Sequence, residues 1–131
     1  MAIGNWGKRI IFSVSEKKIL TFDNFTRKVS GEWAAHSRAG AKDASEFLRP
    51  GLQTITFDME LNALYGVRPR SILEMLERAV EFGEYNLLVI GGRSIGTLYW
   101  KITNTSEAWD FILDRGELVK AKVTVTMEEY I

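Results

Sequence analysis

The chain has 131 residues, 46% of them apolar and 26% charged, and no cysteine. One folded domain spanning residues 1–131 is therefore expected, with a disulfide framework, a thiolate nucleophile and a Cys-based zinc site all excluded. Seventeen basic residues balance seventeen acidic ones, so no net field draws the chain to nucleic acid and no specific binding to it is expected.

The first alternating run is Lys8 to Ser15, with Ile10, Phe12 and Val14 on one parity. With Lys18 to Phe22 it predicts a hairpin that turns at Glu16-Lys17. Asp23-Asn24 interrupts the pattern, since both side chains tend to bond the local backbone. From Lys28 to Ala35 a further strand is expected, with Val29, Gly31, Trp33 and Ala35 on one side. Between His36 and Gly51 the sequence is small, polar and without period, which predicts a long loop, a feature that is usually functional or disordered. That stretch ends in Phe47-Leu48-Arg49-Pro50. Two large apolar side chains there are expected to dock on something.

Thr54 to Leu61 alternates cleanly, with Ile55, Phe57, Met59 and Leu61 on one face and Thr54, Thr56, Asp58 and Glu60 on the other. Such a period of two makes a strand with one dry and one wet face. Pro69 then suits the first position of a helix, because it has no N–H to satisfy. Ile72, Met75, Leu76, Ala79 and Val80 follow at helical spacing, with Arg70, Glu74, Glu77, Arg78 and Glu81 opposite and Gly83 as the stop. The pairs Arg70 to Glu74 and Glu74 to Arg78 lie at ion-pair spacing.

Asn86 to Ile90 reads as a short buried strand, ended by Gly91-Gly92. Leu98, Trp100 and Ile102 alternate, and Trp109, Phe111 and Leu113 resume on the opposite parity, which predicts a bulge near Thr105. Asp114-Arg115-Gly116 should turn the chain into a last strand. In that strand Val119, Ala121, Val123, Val125 and Met127 alternate with Lys120, Lys122, Thr124 and Thr126. The whole predicts an α+β fold: a predominantly antiparallel sandwich or partial barrel with one packed helix. Val123, Val125 and Phe57 are expected to face Leu76 and Met75.

Catalytic constellations are sparse. Gly91 to Gly96 follows a strand but precedes another, so no helix N-terminus points at a phosphate and a hairpin loop is the better reading. His36 is the sole histidine, which excludes a multi-histidine metal site or relay. Asp58 and Glu60 share a strand face as a glycosidase pair might, yet alternation alone accounts for them. Trp6, Trp33, Trp100 and Trp109 could stack on sugars, although three of them lie on alternating runs and read as core or interface. No enzyme, cofactor or small-molecule substrate is expected.

No apolar run approaches the roughly 18 residues of a membrane span, and Met1 to Lys8 lacks a signal-peptide core. Synthesis in the cytosol without membrane association is expected. Charge is uneven along the chain: residues 1–49 hold nine basic and five acidic groups, residues 50–131 eight and twelve. A solvated surface would explain this, and so would a dipolar subunit whose unlike ends meet head to tail.

Several short pieces carry a resemblance through their order and spacing: Ile11-Phe12-Ser13-Val14, Trp33-Ala34 with His36, Phe47-Leu48 before Pro50-Gly51-Leu52, Gly66-Val67-Arg68-Pro69, Leu88-Val89-Ile90-Gly91-Gly92 and Glu128-Glu129-Tyr130. From about Ile10 to Tyr130 the chain resembles the GpU tail-protein family of P2-like contractile phages and related prophages. The resemblance implies a tail-tube-like fold and a structural part of a phage tail or tail-like particle, placed at the tube end near the baseplate hub. It implies no catalytic residues, and partners that are copies of itself in a homohexameric ring, the tail tube protein, the hub and other tail proteins. The implied location is the virion tail, and the bacterial host cytoplasm during assembly.

Joined to the residue pattern, a shared barrel with a polar lumen would turn Thr54, Thr56, Asp58, Glu60, Lys120, Lys122, Thr124 and Thr126 toward the channel. The stretch His36 to Pro50 would reach a neighbour, with His36, Arg38, Lys42, Phe47 and Leu48 at the contact. A tail assembly chaperone or a monomeric binding module without catalysis is the alternative, because the same strands would need solubility before assembly.

Overall fold

The computed structural model describes residues 2–14 and 19–131. Its longest sheet holds five strands: β4 (Phe22–Lys28), β7 (Thr54–Asn62), β12 (Leu118–Tyr130), β11 (Tyr99–Ile112) and β8 (Tyr85–Asn86), in that spatial order. Every pairing in it is antiparallel. The sheet curls into a half-barrel. A second five-stranded sheet runs β10 (Arg93–Ser94), β9 (Leu88–Ile90), β1 (Ala2–Trp6), β2 (Ile10–Val14) and β3 (Ile19–Leu20). Among the described residues, strands β5 (Gly31–His36) and β6 (Ala44–Pro50) pair only with each other.

The two ribbons read from alternation form the centre of the large sheet. Met127 lies opposite Ile55, Val125 opposite Phe57, Val123 opposite Met59 and Ala121 opposite Leu61. All eight are buried. They belong to one core with Leu76, and Met75 packs against its margin, as the helical and strand periods predict.

Helix α1 (Pro69–Glu81) begins on Pro69 and buries Pro69, Leu73, Leu76 and Ala79. The buried line is therefore rotated toward Leu73, and Ile72, Met75 and Val80 flank it half-buried. Each fully buried Leu stabilises the fold by roughly 1.5–3 kcal/mol. At the C-terminal end Gly83 adopts φ +64°, Gly83 N–H donates to the Val80 carbonyl at 3.4 Å and Glu84 N–H to that of Ala79 at 3.0 Å. This is a Schellman stop, which needs a left-handed residue and so favours glycine. Glu84 then accepts from Arg9 at 2.7 Å, tying the helix end to the β1–β2 turn. On the wet side Glu74 pairs with Arg70 at 3.8 Å rather than with Arg78.

Trp6 and Trp100 join the layers. Both are fully buried; Trp6 Nε1 donates to the Trp100 carbonyl at 2.9 Å, and Trp100 Nε1 donates to the Ile95 carbonyl at 2.7 Å. The core gathers Trp6, Ile10, Phe12, Leu20 and Leu88 from the smaller sheet against Phe57, Ile102 and Val125 from the larger.

Five expectations need correction. Asn86 to Ile90 is not one buried strand: Asn86 ends β8 in the large sheet, Leu88–Ile90 is β9 in the smaller, and Leu87 between them is exposed. The aperiodic stretch from His36 to Gly51 is not a structureless loop: Ala44–Pro50 pairs antiparallel with Gly31–His36, closing a hairpin. The strand expected over Lys28 to Ala35 is two pieces, and its predicted dry side is exposed, with Val29 and Trp33 both at 62%. Asp23-Asn24 does not end a strand but bulges one, with the register shifting between Asp23 and Thr26 and Asn24 at φ +54°. The parity switch in β11 lies between Ile102 and Asn104, with a second between Trp109 and Phe111. Strand β1 carried no sequence signal. The hairpin expected between Lys8 and Phe22 forms through β2 and β3, while its turn at Glu16-Lys17 lies outside the described residues. Gly91 and Gly92, at φ +64° and +78°, make the β9–β10 hairpin turn, and Gly116 N–H donates to the Leu113 carbonyl at 2.7 Å in the β11–β12 turn.

Candidate functional site

The side of the large sheet away from the helix is polar across four strands. Its rungs read Lys28, Thr54, Glu128 and Lys101; then Thr26, Thr56, Thr126 and Asn104; then Asp23, Asp58, Thr124 and Ser106. Glu60, Lys122 and Ala108 follow, and then Asn62, Lys120 and Phe111. All eight residues assigned to a channel from sequence thus share one face. The pattern did not yield the flanking Thr26, Lys28, Lys101, Asn104 and Ser106, because bulges in β4 and β11 break their parity.

Charges on this face are largely matched. Lys120 Nζ lies 3.5 Å from Glu60 Oε1, and Lys101 Nζ 3.4 Å from Glu128 Oε1. Asp58 is the most engaged group: Asn24 Nδ2 donates to it at 2.8 Å and Thr124 Oγ1 at 2.7 Å. The Asn24 bond, then the Thr124 bond, hold its carboxyl below the usual value; desolvation opposes them and the charge of Lys122 assists. A shallow open depression of about 380 Å³ lies here, bordered by Asp23, Asn24, Asp58, Glu60, Ser106 and Lys122. Asp58 and Glu60 bond neighbours in the sheet instead of facing a general acid or base across a cleft, so the arrangement suits a wetted wall better than a reaction centre.

A lowered carboxyl pKa stabilises the folded state above the unfolded value of about 3.8, and that contribution is lost as pH falls through the folded value. Asp58→Asn should therefore lower stability somewhat near pH 7, approach wild type at the lowest pH, and so flatten the acid limb of a stability-against-pH curve. Chemical denaturation from pH 2 to 7 checks this; an unchanged acid limb would show that Asp58 carries none of it.

The second feature is the β5–β6 hairpin. Gly51 N–H donates to the Ser30 carbonyl at 2.9 Å across its base. At its tip Arg38 Nε donates to the Lys42 carbonyl at 3.0 Å, so these two residues hold the turn. An ion pair crosses the ladder at 2.7 Å between Arg49 and Glu32, and His36 Nε2 lies within hydrogen-bond distance, 2.8 Å, of Glu46 Oε2. Phe47 and Leu48 are each 50% exposed. Within the subunit they dock on nothing larger than the hairpin itself, where Phe47 meets Trp33 edge-on with centroids 5.1 Å apart. All five residues assigned to an interface lie on this hairpin. Trp33, assigned to core or interface on alternation alone, is the member of the patch that only the pairing reveals.

Among the described residues no group of three His, Cys, Asp or Glu gathers as for a metal ion, and no helix is long and apolar enough to cross a membrane. The family model Phage P2 GpU matches residues 9–131. The chain belongs to the Phage P2 GpU family. It is accordingly a structural protein associated with a phage tail. A search of curated proteins finds no match. For a GpU-family protein, a polar wall backed by a helix and an exposed hairpin are the two features to explain.

Proposed function

We propose that this GpU-family chain is a single tail-tube-like structural domain that forms a ring, a homohexamer, at the end of the tail tube near the baseplate hub and is needed for tail assembly. The observation that carries this reading is the four-strand polar face with a dry, helix-covered back. A wide barrel needs that section, wet toward its bore and dry toward its outer layer. In the ring Thr54, Thr56, Asp58, Glu60, Lys120, Lys122, Thr124 and Thr126 line the channel. Hydroxyls and paired charges on such a wall leave little net field to hold a passing chain.

The hairpin residues His36, Arg38, Lys42, Phe47 and Leu48 meet a neighbouring subunit or the adjoining tube or hub protein. No catalysis, cofactor or small-molecule substrate enters this role. Assembly takes place in the host cytoplasm and the product stays in the particle. Imaging of intact tails or tail-like particles by electron cryo-microscopy tests the proposal. Density for several copies in a closed ring, with Asp58 and Lys122 toward the bore, is expected. Absence of the chain from finished particles would replace the ring by an assembly chaperone, and a ring with the helix inward would reverse the wall.

A further inference from the structure

The large sheet ends on two open edges. Among the described residues β4 has no outer neighbour on one side; on the other, β8 pairs only with Trp100 and Lys101, leaving the 14-residue strand β11 unpaired on that side from Ile102 to Ile112. Open edges of this kind are templates for another strand. Between the two edges the four strands β4, β7, β12 and β11 alternate in direction. An even number of alternating strands makes the outer two run oppositely, so a copy placed alongside by rotation meets β11 with an antiparallel β4. Its polar face then continues on the same side.

We infer that the ring joint is β4 of one copy paired with the outer edge of β11 of the next, in a staggered register that places Phe22–Lys28 against Ser106–Ile112. This rests on the ring reading above and adds the partner strand and the register.

Three observations choose the stagger. Inside one subunit Lys28 lies level with Lys101 through Thr54 and Glu128. An unstaggered neighbour would need the place that β8 already fills beside Trp100 and Lys101. Sliding β4 along until Lys28 faces Ser106 clears β8 and brings the ends of the two strands together at Phe22 and Ile112. Side chains then match by face. Arg27 meets Glu107, the bulge carrying Phe25 meets Trp109, and Phe22 meets Ile112 on the helix side, while Thr26 meets Ala108 on the polar side. Half that slide would set Arg27 against Thr105, the bulge carrying Phe25 against the Glu107 carboxylate and Phe22 against Trp109, and leave Ile112 uncovered. Trp109 and Ile112 are 44% and 50% exposed in the lone subunit, and this register covers both.

The slide also has the right size for closure. A shift of about four residues at roughly 3.3 Å each, across four strands about 4.8 Å apart, tilts the strands by about 35°, the tilt at which barrels close. Joints of this head-to-tail kind generate rings when the rotation closes.

The chain has no cysteine, so paired cysteines read the joint directly. In purified particles carrying Thr26→Cys with Ala108→Cys, mild oxidation should link copies into a ladder, at least tenfold more than with either single variant. Thr26→Cys with Asn104→Cys, the unstaggered pair, should stay unlinked, because a disulfide tolerates only about 3.5–4.5 Å between Cβ atoms. As a second measurement, Arg27→Glu or Glu107→Arg alone should lower incorporation into particles at least tenfold, and the two together should restore it. Linking by the unstaggered pair, or a double reversal no better than the singles, overturns the joint while multiple copies in the particle leave the ring standing. A single copy per particle overturns both.

Discussion

Trp100→Ala should cost roughly 3–5 kcal/mol, the range for removing a large aromatic from a packed interior, and lower the melting temperature by on the order of 10 °C or more. Trp100 is fully buried and its indole N–H donates to the Ile95 carbonyl, at the end of the chain segment leaving the smaller sheet. Its own carbonyl receives the Trp6 indole. Truncation therefore opens a cavity and also strands the Ile95 carbonyl, and the loosened backbone weakens the hold on Trp6. Trp109→Ala is the comparison. Trp109 is 44% exposed and covered on one side by Arg70 at 5.9 Å, so its loss should cost about 1 kcal/mol or less in the isolated chain. Thermal and denaturant unfolding of both variants measure the difference. Equal costs would mean that the two sheets do not share the core described.

How much of this could be read beforehand follows from where water sits. Strands β7 and β12 separate a dry face from a wet one, and their side chains alternate accordingly. Strands β5 and β6 have water on both faces of the isolated subunit, so nothing there compels alternation and the pairing stays hidden. Only its effect, Trp33 beside Phe47, makes sense of two aromatics in an otherwise polar stretch. Strand β1 is hidden for another reason. Gly4 packs so close to the backbone of Val89 and Ile90 that a side chain would not fit, which removes the apolar mark a reader looks for.

Bulges have a similar effect in β11. The change of parity is visible in Ile102 and Trp109, yet the residues between are all polar or small, so the position of the extra residue is not. For the candidate site, the channel-facing set followed from parity alone, whereas the opposition of Lys101 to Glu128 and of Asp23 to Asp58 needed the register.

Phe47→Asp should leave the melting temperature of the isolated chain within a few degrees of wild type but reduce assembled tails at least tenfold. The first half follows from the hairpin. Phe47 is half exposed and its main partner is Trp33, a contact worth about 0.5–1.5 kcal/mol beyond area. The ladder bonds and the Arg49–Glu32 and His36–Glu46 pairs remain after the change.

The second half follows from what an isolated protein can leave in water. Trp33, Phe47 and Leu48 expose 62%, 50% and 50% of their surfaces on a hairpin whose strands, among the described residues, pair only with each other. A patch of this kind usually marks a surface that another molecule covers, and a carboxylate in its centre would have to be desolvated against apolar atoms, at a cost of several kcal/mol. Lys120→Glu supplies the control, since it alters charge as drastically on the exposed polar wall, next to Glu60, without entering an apolar contact. It should fold and assemble with far smaller losses. Particle counts by electron microscopy together with melting curves separate the cases: normal tails from Phe47→Asp would remove the hairpin from the assembly interface, and a large fall in melting temperature would mean that the hairpin is part of the subunit's own core.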